Sequence, residues 1–191
     1  MKKLPIGISD FKKLIKGDYI YVDKTKYIYE LVESGGYIFL SRPRRFGKSL
    51  LLSTIKYLFE GQKELFKNLF IYDKWNWEEK YPVIRISFAA DIKNIDSFYE
   101  VIHNQLKLNY EKFNILFQQN FKHFDLLLEN LILNVYKKFN QQIVLLVDEY
   151  DKPILDLITD KKEAEEVRKE LKSFYSVLKE LDQYLKFVFI T

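Results

Sequence analysis

Two stretches of the chain carry residue types suited to work on a phosphate ester. The first is Arg42-Pro43-Arg44-Arg45-Phe46-Gly47-Lys48-Ser49. A lysine followed by a hydroxyl residue, where an apolar strand gives way to a helix, suits a polyphosphate. Successive backbone N–H groups and the helix N-terminus cradle the anion. The lysine reaches the β- and γ-phosphates and the neighbouring hydroxyl ligates Mg²⁺. Lys48 and Ser49 hold those places, with Arg44, Arg45, Phe46, Gly47 and Leu50 completing the expected phosphate-binding run. The usual loop of this kind opens on glycine five residues before Gly47, where this chain has Arg42. A Gly-Lys-Ser/Thr tripeptide arises by chance in about one chain in ten of this length. Its weight comes from its position at a strand-to-helix junction.

The second stretch is Asp148-Glu149, directly after the apolar run Ile143-Val144-Leu145-Leu146-Val147. An aspartate at a strand tip can hold Mg²⁺ through a water or through the Ser49 hydroxyl. A glutamate beside it can polarise the attacking water as a general base. An acid pair leaving a strand is common; one that follows both a buried run and an upstream Gly-Lys-Ser is not. The two stretches together point to ATP and Mg²⁺ as cofactors. Lys48 and Glu149 are the catalytic candidates, and Ser49 and Asp148 the metal ligands.

These residues need a scaffold, and the hydrophobic pattern supplies one. Tyr37-Ile38-Phe39-Leu40 reads as a buried strand, followed by a helix over 49–59 that ends near Gly61. A second strand is expected over 82–88. Helices follow over 96–110, capped by Asp96-Ser97, and over 124–139. The run from Ile143 has the composition of a parallel strand buried on both faces. A charged helix from about Lys161 carries Val167, Leu171, Phe174, Leu178 and Leu181 on one face, and a last strand spans 186–190. Pro153 suits the first turn of a short helix between them. Strands separated by helices imply a parallel sheet covered on both sides.

Composition narrows the chemistry further. The 191 residues contain no cysteine, which excludes disulfides, thiolate metal sites and a cysteine nucleophile. The two histidines, His103 and His123, have no second ligand nearby in sequence and argue against zinc. The start Met-Lys-Lys-Leu-Pro-Ile is not a signal peptide, and no window approaches the ~18 consecutive apolar residues of a membrane span. A net charge of +4 permits contact with nucleic acid without arguing for it. The expectation is a cytoplasmic protein with no membrane association. No linker or repeat divides the chain, so one domain is expected.

The quoted motifs, with Asp148-Glu149-Tyr150-Asp151-Lys152-Pro153-Ile154 and Tyr21-Val22-Asp23-Lys24-Thr25, resemble the prokaryotic AAA-ATPase-like family. The resemblance runs from Ile6-Gly7 to Phe187-Val188-Phe189-Ile190-Thr191. In that family Arg-Pro-Arg-Arg-Phe-Gly-Lys is the typical loop, so the resemblance accounts for Arg42. It implies an α/β P-loop NTPase three-layer sandwich with a mainly parallel sheet, strand one beside strand four, then three, then two. It assigns Thr191, at the tip of the last strand, to sensing the γ-phosphate. It also implies a further strand, a helical lid and often a restriction-endonuclease-like nuclease domain beyond Thr191. The chain therefore reads as an ATPase core over 1–191, with segment 1–35 packing against it, cut from something longer.

Several roles stay open at this level. Tyr21 to Thr25 either packs beside the loop or the adenine, or clamps the N-terminus over the sheet. Arg42, Arg44 and Arg45 suit a phosphate oxygen, a pairing with Asp148 or Glu149, or a partner surface. Trp75 and Trp77 read as an aromatic plug under a loop. The leading function is an ATP-binding and ATP-hydrolysing module that couples nucleotide state to a partner or attached domain. Alternatives are a nucleotide-gated switch with little or no hydrolysis, and a nucleic-acid-binding piece acting through the arginines. A homo-oligomer is compatible with each, as is nucleic acid bound through an attached domain.

Overall fold

The computed structural model describes residues 2–43, 45–117 and 124–191; Arg44 and His123 lie outside that range. Along the chain come α1 (Phe11–Lys16), α2 (Thr25–Ser34), β1 (Gly36–Phe39) and α3 (Lys48–Phe59). Then follow β2 (Val83–Ser87), α4 (Ile95–Lys112), α5 (Phe124–Phe139) and β3 (Ile143–Asp148). The chain continues through α6 (Lys152–Asp156), α7 (Lys161–Glu180) and β4 (Leu185–Ile190). Among the described residues one sheet forms, ordered β1-β4-β3-β2, and every neighbouring pair is parallel. The strand order is the one implied by the family resemblance.

Side chains alternate across this sheet, and the alternation makes the layers. Val83, Val144, Leu146, Phe187 and Phe189 face α1, α2 and α3 in one core. Ile84, Ile86, Ile143, Leu145, Val147 and Val188 face α4, α5 and α7 in the other. All six residues of β3 are buried, as expected for a central strand covered on both faces. The charged helix α7 turns Val167, Leu171, Phe174 and Leu178 inward, and Pro153 sits in the first turn of α6.

Two expectations are corrected. β1 is more exposed than expected: among the described residues it pairs with β4 alone, leaving Tyr37 46% and Phe39 54% exposed. The N-cap of α4 is Asn94 rather than Asp96, and Ser97 serves as its partner in the first turn. The Asn94 side chain accepts from the Ser97 N–H, and the Ser97 hydroxyl accepts from the Asn94 N–H, closing a capping box. The tryptophans do plug a loop: Trp77 donates to the Tyr72 carbonyl at 2.7 Å, and Trp75 meets Phe59 edge-on.

The β2 edge is closed by side chains from α4. Asn109 accepts from the Arg85 N–H at 3.2 Å and returns an N–H to the Arg85 carbonyl at 2.8 Å. Gln105 accepts from the Ser87 N–H, and Lys112 donates to the Val83 carbonyl. Gln105, Asn109 and Lys112 share one helix face, so they run along the strand like a substitute for a neighbouring one. Asn109 is buried, and replacing it by leucine strands an amide and a carbonyl of Arg85. Asn109→Leu should therefore cost about 2–3 kcal/mol in urea unfolding; an unchanged midpoint would mean the edge is satisfied some other way.

Candidate functional site

The parallel sheet brings the C-terminal ends of its strands to one side, where ligands of open α/β sheets gather. β1 leads there into the loop 40–47, and α3 begins at Lys48. Gly47 caps the helix at φ 79°, and Arg45 lies at φ 69°, both in the left-handed region. Arg42 needs no such conformation. The loop therefore enters without glycine at that point and spends its glycine at Gly47, where the backbone demands it. The Lys48 Nζ donates to the Arg42 carbonyl at 2.6 Å, so its ammonium folds back over the loop.

A cleft of about 1000 Å³ opens above this turn. Arg45, Gly47, Lys48, Ser49 and Leu50 line one part of it and Glu149 another. Phe46, expected in the binding run, does not line the cleft and is 68% exposed. Pro5 to Ser9 form a further wall, and Lys152 and Leu155 of α6 line the cleft as well. Arg42 lines the cleft too, while Tyr21 to Thr25 do not.

Asp148 and Thr191 are buried, each 2% exposed, and neither lines the cleft. Strand parity puts Leu146, Asp148 and Phe189 on the α3 side, and Thr191 follows suit. The Thr191 hydroxyl donates to Asp148 Oδ1 at 3.1 Å. Arg85, on the neighbouring strand, donates from Nη2 to Asp148 Oδ2 at 3.1 Å. Among the described residues the arginine paired with Asp148 is thus Arg85, and neither Arg42 nor Arg45. Glu149 takes a left-handed φ of 56°, a conformation that costs a non-glycine residue and that clusters at functional sites. That turn carries its side chain out of the sheet and onto the rim of the cleft.

The tip of β3 is braced from two sides. The Tyr150 N–H donates to the Thr191 carbonyl at 3.0 Å, and the Tyr150 ring meets Phe39 edge-on. Lys152 donates to the Ala90 carbonyl, to Asp91 and to Asp156, while the Ile92 N–H also reaches Asp156. Burial alone would lower the Lys152 pKa, but Asp156 and Asp91 hold it above the ordinary lysine value. This lysine ties the loop after β2 to the helix after β3.

Ser49 and Asp148 offer hard oxygen donors, and among the described residues no group of three or more His, Cys, Asp or Glu is placed to hold a metal. That set fits Mg²⁺, which takes one or two protein ligands and completes its shell with phosphate oxygens and water.

The N-terminal wall is fixed by Asp10. It caps α1 by accepting from the Lys13 N–H, and it accepts the hydroxyls of Ser53 and Tyr57 from α3. Ser53 in turn accepts from the Phe11 N–H at 2.9 Å. Pro5 to Ser9 thereby hang from the same helix that begins at Lys48. Asp23 instead accepts from Thr25 and from the Phe70 N–H, clamping α2 onto the turn Phe70–Asp73. Tyr21 to Thr25 stay out of the cleft, and Asp23 and Thr25 hold the turn Phe70–Asp73 rather than the sheet.

Matching the chain to known families gives one answer. The family model described as "Predicted AAA-ATPase" matches residues 5–191. The chain belongs to this AAA-ATPase-like family. A relative in Azotobacter chroococcum mcd 1, named as an uncharacterized protein in the vnfD 5' region, is 42% identical over 194 residues. That alignment covers 100% of this chain and 37% of the relative, so the chain spans little more than a third of that protein's length. No solved structure matches. Among the described residues no helix is long and apolar enough to cross a membrane.

Arg85 and Asp10 were not singled out from sequence. Arg85 did leave a trace, as the one charge inside Val83-Ile84-Arg85-Ile86-Ser87. Asp10 left only a cap-like position before Phe11.

Burial raises the Asp10 pKa, but bonds from Lys13, Tyr57 and Ser53 outweigh it and hold it below the ordinary 3.8. Burial and the bond to Asp10 push the Tyr57 hydroxyl up to about 12. With its folded pKa depressed, Asp10 stabilises fully above its ordinary value and loses that effect as pH falls through the depressed one. Asp10→Ala should cost about 1–2 kcal/mol at neutral pH. Thermal melts of both chains should converge below pH 3.8; a gap independent of pH would remove the carboxylate from this role.

Proposed function

We propose that this chain binds Mg²⁺–ATP in the cleft above α3 and hydrolyses it, coupling nucleotide state to a partner or attached domain. What supports the reading is that Lys48 and Ser49, at the start of α3, line one cleft with Glu149, just past the tip of β3, while Asp148 is buried at that same strand end. Phosphates lie along the backbone N–H groups of the loop and the N-terminus of α3. The Lys48 ammonium leaves the Arg42 carbonyl and neutralises charge on the outer phosphates. Ser49 and Asp148 would hold magnesium, which would supply positive charge against the phosphate oxygens. Glu149, on the rim, accepts the proton of the attacking water. Thr191 holds Asp148 Oδ1 and so reports on the outer phosphate through that carboxylate. Pro5 to Ser9 form the wall against which the base rests.

One observation favours a second reading, a nucleotide-gated switch with little hydrolysis. Both oxygens of Asp148 are already engaged within the chain, so the metal ligand is not free before nucleotide arrives. Glu149→Gln separates the two readings: it should lower turnover by ~10²–10⁴-fold for a hydrolase and leave a switch unchanged.

The binding step is tested by melting the chain with and without Mg²⁺–ATP. At ligand ~100-fold above its dissociation constant, stabilisation should be about 2.7 kcal/mol, or roughly 5–10 °C for a domain of this size. Lys48→Ala should lose that shift. Equal shifts in both chains would mean that nucleotide binds somewhere else, and no shift in either would sink the reading.

A further inference from the structure

Arg85 is positioned with more care than a surface arginine needs. Its backbone is held on both sides by Asn109 of α4, and β2 pairs with β3 so that Ser87 lies beside Asp148. Arg85 is two residues back on the same face, which aims its side chain along the sheet towards the strand tips. The guanidinium is about a third exposed, whereas the Asp148 carboxylate is 3% exposed. Its Nε–H is buried without a hydrogen-bond partner. The guanidinium therefore holds the carboxylate by one bond rather than by the two-pronged fork that makes arginine pairs strong.

Resting on the Mg²⁺–ATP reading above, we propose that Arg85 is a positioning residue that gates the metal: it competes with Mg²⁺ for Asp148 Oδ2. Without metal, Arg85 neutralises a carboxylate that would otherwise be a buried, unpaired charge. When Mg²⁺ enters with the phosphates, it meets a positive charge already in contact with its own ligand. The guanidinium must give up Oδ2 or share it, and the two cations repel at close range. The pair thus sets how much magnesium the site requires, and it links metal binding to the edge strand β2. Through Asn109 and Gln105 that strand is tied to α4. Thr191, on the other oxygen, carries no charge and does not compete.

The experiment titrates MgCl₂ into the chain holding a fluorescent N-methylanthraniloyl ADP, starting from EDTA, and reads nucleotide affinity rather than turnover. Arg85→Gln keeps a donor for Asp148 but removes the charge, and Arg85→Lys keeps the charge. Removing one positive charge a few ångströms from a divalent ion should lower the half-saturating Mg²⁺ on the order of 10-fold in Arg85→Gln. Arg85→Lys should stay near the wild type, and affinity in EDTA should hardly move in either. An unchanged or higher half-saturating Mg²⁺ in Arg85→Gln overturns the proposal. A role in folding alone would weaken nucleotide binding equally with and without metal. Nucleotide binding that ignores Mg²⁺ in the wild type, or survives Lys48→Ala, would instead overturn the reading of the site itself. The wild-type chain gives a reading that no variant's folding can spoil. With ¹⁵N-labelled arginine, the Arg85 side-chain resonance should move when Mg²⁺ joins the ADP complex and stay put with ADP in EDTA. Identical spectra would contradict the gate.

Discussion

A carboxylate buried at the end of an apolar strand is costly unless something compensates it. Asp148 is such a group, and much of the site follows from how the chain satisfies it. Its oxygens are held by Arg85 from one neighbouring strand and Thr191 from the other. Both partners can reach it only because the strands are parallel and their side chains alternate in phase. The order β1-β4-β3-β2 puts β3 between the strands that supply them. A one-residue slip of β3 would turn Asp148 into the core packed by α4, α5 and α7, and bring Val147 to the α3 side. Register, sheet order and the placement of the acid are therefore one constraint.

The cleft depends on a second linkage, between the N-terminus and α3. Asp10 joins α1 to Ser53 and Tyr57, so the wall formed by Pro5 to Ser9 moves with the helix that begins at Lys48. On the far side, Lys152 fastens the loop after β2 to α6. The loop after β2, the N-terminal wall and the tip of β3 are thus each fixed by a polar contact of long sequence separation. The Lys48 ammonium and the Glu149 carboxylate, by contrast, are left on the cleft surface where a ligand can meet them.

Much of this was legible in the sequence. The long periodic segments gave α3, α5, α7 and the central strand within a residue or so, because apolar spacing over several turns has few competing explanations. The Gly-Lys-Ser and Asp-Glu pairs were legible because their chemistry fixes both residue type and context. The exposure of β1 was not legible in its own residues, since a short apolar run looks the same at an edge as in a core; the strand order implied by the family resemblance did place it at the end. The cap of α4 went to Asn94 because an amide two residues earlier could close a reciprocal pair with Ser97, a choice decided by local geometry. Arg85 was hidden for a deeper reason. Its partner lies 63 residues away, and nothing local ties a charge in one strand to an acid in another. The left-handed turn at Glu149 was equally invisible, because a backbone conformation that costs energy is not what local propensity favours.

The most direct test is a crystal structure of the chain grown with Mg²⁺ and a non-hydrolysable ATP analogue. The account predicts the phosphates along residues 45–49, with Lys48 Nζ turned from the Arg42 carbonyl to a phosphate oxygen and the metal on the Ser49–Asp148 side. A nucleotide seated elsewhere, or phosphates in the cleft with Lys48 still on Arg42, would contradict it.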